Sequence, residues 1–211
     1  AVPSVNFFGN VAIDGTMNIN NGGVVNLLGT NTYNGIVNVN NGGLLVSDTG
    51  IHTFTNGING PGTLIINGST AAMVLDAASN IGTLTMLDGE INGSGNLDVT
   101  NLSSWSGGIM GGTGVTSFDG GVDITGPVTL DRTVNINGGT LDNIGDVTDG
   151  VGLFGGSAAF NITGGTFTVA NSGHIHIVEP GVTVGPGAIL NVEGDLYVQL
   201  ASIGVTNNGG T

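Results

Sequence analysis

Gly15-Thr16-Met17-Asn18-Ile19-Asn20-Asn21-Gly22-Gly23-Val24-Val25-Asn26 is answered twenty residues later by Gly35-Ile36-Val37-Asn38-Val39-Asn40-Asn41-Gly42-Gly43-Leu44-Leu45-Val46. The motif continues at the same spacing in Gly62-Thr63-Leu64-Ile65-Ile66 and Gly82-Thr83-Leu84-Thr85-Met86. A fixed period of this kind marks a repeat architecture and outranks any local propensity. Inside each unit apolar residues alternate with polar ones over four to six positions, as in Met17/Ile19, Val37/Val39, Val122/Ile124 and Phe167/Val169. Gly, Asn or Gly-Pro then interrupts. Alternation over so short a run predicts half-buried strands, and Gly60-Pro61-Gly62, Gly126-Pro127, Gly185-Pro186-Gly187 and the Asn-Gly pairs predict corners.

A constant register favours coils stacked in parallel over an antiparallel meander. The expected fold is all-β, a parallel β-helix with coils of about 20 residues and little or no α-helix. The whole chain, 1–211, forms one domain, with regular coils over 10–90 and less regular ones over 91–211. In the second half the Gly-Gly motif recurs at Gly120-Gly121, Gly138-Gly139 and Gly164-Gly165, so some later turns must bulge. Stacking predicts an interior ladder of Val24, Leu44, Leu64 and Leu84. It also predicts amide ladders of Asn18 over Asn38, Asn20 over Asn40 and Asn21 over Asn41.

Composition sets outer limits on function. Gly fills 42 positions, 39% of residues are hydrophobic and 8% are charged. That is too apolar for a disordered Gly/Asn linker and too glycine-rich for a helical domain. There is no Lys, Arg132 is the single strong base, and the net charge is −14. Nucleic-acid binding is excluded because it requires clustered cations, and polyanionic substrates and anionic membrane surfaces are disfavoured. No apolar run is long enough for membrane insertion. Without Cys there is neither a disulfide framework nor a thiolate metal site. The start at Ala1-Val2-Pro3-Ser4 is what a mature exported product or an excised fragment would show.

The residues also carry a resemblance. Asn31-Thr32-Tyr33-Asn34-Gly35 leading to Val39-Asn40-Asn41-Gly42-Gly43-Leu44-Leu45-Val46 resembles the autotransporter-associated β-strand repeat. Trp105-Ser106-Gly107-Gly108-Ile109-Met110-Gly111-Gly112-Thr113-Gly114 is similar to a turn of filamentous-haemagglutinin-type adhesins and autotransporter passengers. The resemblance implies a right-handed β-helix, export to the cell surface or medium, and adhesion or scaffolding, and it supplies no catalytic residue. The family's membrane barrel and a capping segment are not recognisable here.

Several motifs invite chemistry. Gly150-Val151-Gly152-Leu153-Phe154-Gly155 fits a dinucleotide fingerprint, yet no helix is predicted after it and Asn171 stands where an acid is needed, so it reads as a corner. His174 and His176 share one side of a predicted strand, with Ile175 and Ile177 inward, and read as solvated imidazoles ahead of a metal pair. Asp142, Asp146 and Asp149 fall in the longest interval between repeats. They form a solvated acidic loop that offers oxygens to Ca²⁺, or less readily a glycosidase pair. No other cofactor is expected. Trp105 is either a sugar platform or, by preference, a core residue.

The expectation is therefore a non-catalytic extracellular structural or adhesive solenoid, with host or matrix glycan as a candidate ligand. The alternative is a glycan-binding or glycan-cleaving module of tailspike or pectinase type, recognisable by two facing carboxylates within about 10 Å on an outward groove. Charged lateral faces should repel one another. Uncharged terminal strands bearing Phe7 and Phe8 at one end and Val198 and Leu200 at the other favour axial homopolymerisation or continuation into a longer solenoid.

Overall fold

Short strands broken by glycine corners can satisfy their backbone only by pairing with the next coil, and the computed structural model shows that arrangement. It describes residues 3–126, 128–141, 146–149, 159–169, 174–177, 182–193, 195–198, 206–207 and 209, with the backbone alone at 141, 146–149, 174–177, 195–198 and 206–207. Every strand pair is parallel, the described residues contain no helix, and the chain makes about eight turns of about 20 residues.

Each coil lays down three strands, one on each face of a prism. The first coil sets the order: Ser4–Phe8 on the first face, Val11–Ile13 on the second and Met17–Ile19 on the third. Twenty residues later Val24–Leu28, Asn31–Tyr33 and Val37–Val39 lie directly upon them. Where a corner opens out, one strand runs across two faces, as in Leu44–Phe54, Ile58–Ile66 and Phe160–Val169.

Alternation decides what fills the lumen. Leu27, Leu45, Leu64, Leu84, Val99, Phe118, Ile136 and Phe167 are among side chains at or near zero exposure, and with their neighbours they form one continuous core. Because the coils are in register, the core is built of columns. Phe7, Leu27, Ser47, Ile66, Met86, Trp105 and Ile124 stand one above another along the edge of the first face. Trp105 is fully buried, with its indole N–H donating to the Gly107 carbonyl at 2.9 Å. It is a core residue and no sugar platform.

The expected ladder of Val24, Leu44, Leu64 and Leu84 is corrected by one position at its start. The interior column is Val25, Leu45, Leu64 and Leu84, while Val24 and Leu44 stand on the outer side of the strand. Two irregularities that together leave the spacing one residue short of twenty cause the slip. A bulge at Asp48 adds a residue, so Asn31 meets His52 at a separation of 21. The four-residue corner Asn40–Gly43 is then replaced by Pro61-Gly62, and Leu45 meets Leu64. Gly60 is needed at this tightened corner: it has φ +116°, and a Cβ there would lie 2.5 Å from the Val39 carbonyl oxygen.

Later coils vary more. Asn135 bonds Asn161 across a separation of 26, matching the bulged interval read from the Gly-Gly motifs. The Gly150–Gly155 motif lies outside the described residues.

Arg132, placed beside the strand Thr133–Leu141, is itself only 1% exposed. Its Nε donates to the Gly114 carbonyl at 3.0 Å and one terminal nitrogen to the Gly95 carbonyl at 2.7 Å, so the guanidinium clamps three successive layers. A side chain on Gly114 would occupy the position of that nitrogen. Burial lowers the Arg132 pKa to about 10, which leaves it charged at neutral pH, and charge-assisted bonds to carbonyls compensate its desolvation.

Two outcomes follow. Leu45→Ala should cost about 2–5 kcal/mol by chemical denaturation and Leu44→Ala less than about 1, because one empties the lumen and the other trims the surface. Equal costs would restore the uncorrected ladder. Native protein should also resist trypsin, whose single site is Arg132; rapid cleavage into two fragments would show that this corner opens.

Candidate functional surfaces

With the lumen filled, chemistry reaches solvent through three faces and their corners, and the register makes each face distinct. On the third face the outward column reads Asn18, Asn38, Asn59, Asn80, Asp98, Ser117, Asn135, Asn161 and Thr183. Asn38 donates its amide to Asn18 at 2.8 Å and Asn161 to Asn135 at 2.9 Å. Asn40 likewise donates to Asn20 at 2.8 Å. Two of the three expected amide ladders thus form. Asn21 and Asn41 are exposed, and at their corner the contact is made by the backbone, Gly22 N–H donating to the Gly42 carbonyl.

On the first face the middle outward column reads Asn6, Asn26, Val46, Ile65, Thr85, Ser104, Asp123, Thr140, Thr168 and Asn191. The column beside it begins Ser4, Val24, Leu44, Thr63 and Thr83. One charge, Asp123, interrupts ten layers. The other described acids are unevenly spread: Glu90, Asp146 and Asp195 lie in strands of the second face, Asp98 on the third, and Asp14, Asp76, Asp88 and Asp131 at corners, while Asp48 and Glu193 border the first face, where Glu193 accepts the Asn191 amide at 3.1 Å.

Asp146 and Asp149 open and close a strand, Asp146–Asp149, paired on both sides, in place of the expected loop. Asp146 pairs with His174 and His174 with Asp195, whereas Asp142 lies outside the described residues. His176 pairs with Tyr197 in the same strands.

A carboxylate pair not apparent in the sequence straddles Gly111. Glu90 Oε1 is 3.2 Å and the Asp131 Cβ 3.8 Å from the point where a Gly111 Cβ would stand, so they lie at most 7.0 Å apart. Glu90 Oε1 also accepts the Asn92 amide at 2.5 Å. Their sequence separation hid this pair, and only the coil register brings it together.

At the first coil the strands Ser4–Phe8, Val11–Ile13 and Met17–Ile19 pair on one side only among the described residues. Phe7 is half-buried against the core, while Phe8 is 71% exposed and the core-column residue Val5 is 53% exposed. At the other end Val198 closes the strand Asp195–Val198, and Leu200 lies outside the described residues.

A polar cluster lies in the lumen of the early coils. The Asn31 amide bonds His52 Nδ1 at 3.2 Å and its oxygen accepts the Val11 N–H at 3.2 Å, linking three coils. His52 Nε2, Ser47 Oγ and the hydroxyl of Tyr33, whose ring stacks on Phe54 at 4.5 Å, have no hydrogen-bond partner among the described residues. Burial raises the Tyr33 pKa and lowers that of His52 to about 4, against a smaller opposing contribution from the Thr49 backbone.

The chain matches no protein-family model, no curated protein and no solved structure.

The folded pKa of His52 is below its unfolded value near 6.5, so its contribution to stability is complete above pH 6.5 and is lost as pH falls towards 4. Full loss amounts to about 3 kcal/mol. Melting temperature should fall across this window, and the fall should be shallower in His52→Gln; an unchanged profile would show that His52 does not govern it.

Proposed function

We propose that this chain is an extracellular structural or adhesive rod, whose work is to hold a regular side surface at a fixed spacing from its ends. The observation that carries this reading is the parallel pairing of successive coils on all three faces, which on the third face puts Asn upon Asn from Asn18 to Asn80. A continuous hydrogen-bonded stack resists bending and transmits load along its axis. Neutral amides and hydroxyls on that face suit an uncharged glycan of host or matrix. The scarcity of trypsin sites agrees with export.

The open first coil supports axial growth, by a second copy or by further coils of a longer solenoid. Backbone donors and acceptors on three strand edges, together with Val5 and Phe8, form the contact. We also propose a weak Ca²⁺ site on the carboxylates of Asp142, Asp146 and Asp149.

The runner-up reading is a neutral-glycan hydrolase, favoured by the Glu90 and Asp131 pair across Gly111. Two carboxylates serve as acid and base, or as acid and nucleophile, when they face each other at about 5–9.5 Å, and the proximity of Glu90 Oε1 to the Asp131 β-carbon supports this reading.

Electron microscopy of the 211-residue chain should show rods of roughly 40 Å, some joined end to end, with joining suppressed by Phe8→Glu. Globular particles would overturn the rod. Release of reducing sugar from a neutral glycan, lost in both Glu90→Gln and Asp131→Asn, would replace the structural reading by the enzymatic one.

A further inference from the structure

The side-by-side contact that net charge seems to forbid is open on one face. Outward positions of the first face carry a partly exposed apolar cluster, Val24, Leu44, Val46 and Ile65, continued by Thr85, and one acid, Asp123, breaks its middle column. These side chains contribute nothing to the lumen, since their neighbours in each strand fill it.

We propose that the first face is a lateral interface between two copies of this chain, packed sheet against sheet. The occupant follows from three properties. Rows on this face repeat at the strand spacing of about 4.8 Å, and a surface with the same repeat, able to seat ridge beside ridge along its length, is the face of a second copy. A basic partner is drawn to the second and third faces and the corners, where Glu90, Asp98 and the corner carboxylates sit. The first face suits an uncharged surface. Strands of three to five residues over about eight turns give roughly 13 Å by 40 Å, or about 500 Å² a side. A standard interface uses about 800 Å² from each partner, so the pair is reversible and concentration-dependent. Packing two identical faces about a twofold axis closes at the dimer. Axial stacking through the first coil does not close, which separates this contact from the filament proposed above. The inference needs only the coil register and holds whether or not the chain is adhesive.

Sedimentation equilibrium across a concentration series tests it, with circular dichroism confirming the fold of each variant. The wild-type chain should form dimers that tighten as salt screens the remaining acids. Val46→Asp and Ile65→Asp should each raise the dissociation constant by about tenfold or more. Asn38→Asp on the third face should leave it unchanged, as should the coil-end variant Phe7→Ser. A wild-type monomer at high concentration and salt would overturn the proposal. So would dimers that survive both first-face variants, or association that continues past two copies and is lost only in Phe7→Ser.

Discussion

Parallel pairing of each coil with the next is the constraint from which the rest of this structure follows. A strand of three to five residues has no stability alone, and here each finds its hydrogen-bond partners about twenty residues away in the chain. Pairing in register fixes the rise at about 4.8 Å and forces each side chain to tolerate the ones above and below. Apolar columns then fill the lumen and Asn columns bond along the outside. Corners admit glycine wherever a Cβ would strike the coil beneath, as at Gly60.

Polar groups inside such a lumen have few choices of partner, and the chain treats its two largest differently. Arg132 donates from Nε and one terminal nitrogen to carbonyls of the two preceding layers and leaves its other terminal nitrogen unpartnered among the described residues. His52 shares one nitrogen with Asn31 and leaves the other without a partner among them. A buried donor without a partner costs about 1–3 kcal/mol, so each of these layers is less stable than it would be with an aliphatic side chain in that place.

Period, parallel stacking and two amide ladders were legible in the sequence because a repeat of twenty is a one-dimensional property. Phase was not. The bulge at Asp48 adds one residue and the shortened corner at Pro61-Gly62 removes two, so Leu64 stacks on Leu45, and matching Leu44 with Leu64 by number put Leu44 in the lumen. The neutral first face was hidden for the same reason: its character appears only when the outward member of each alternating pair is known. Glu90 and Asp131 are two coils apart, and no local motif links them. Arg132 was legible as a strand-edge residue, whereas its burial depends on glycines at 95 and 114 that read as ordinary turn residues. The acids near 146 were assigned to a loop because a long interval between motifs looks like an insertion, although part of it folds back into the second face.

The burial of Arg132 has a chemical consequence. Lysine is absent, and the one guanidinium is sealed beneath a corner. Reducing sugars, aldehydes and other carbonyl compounds age long-lived proteins by condensing with lysine amines and accessible guanidinium groups. These 211 residues present no such side chain to them, so side-chain adducts and cross-links of that kind have no place to form while the coils stay closed.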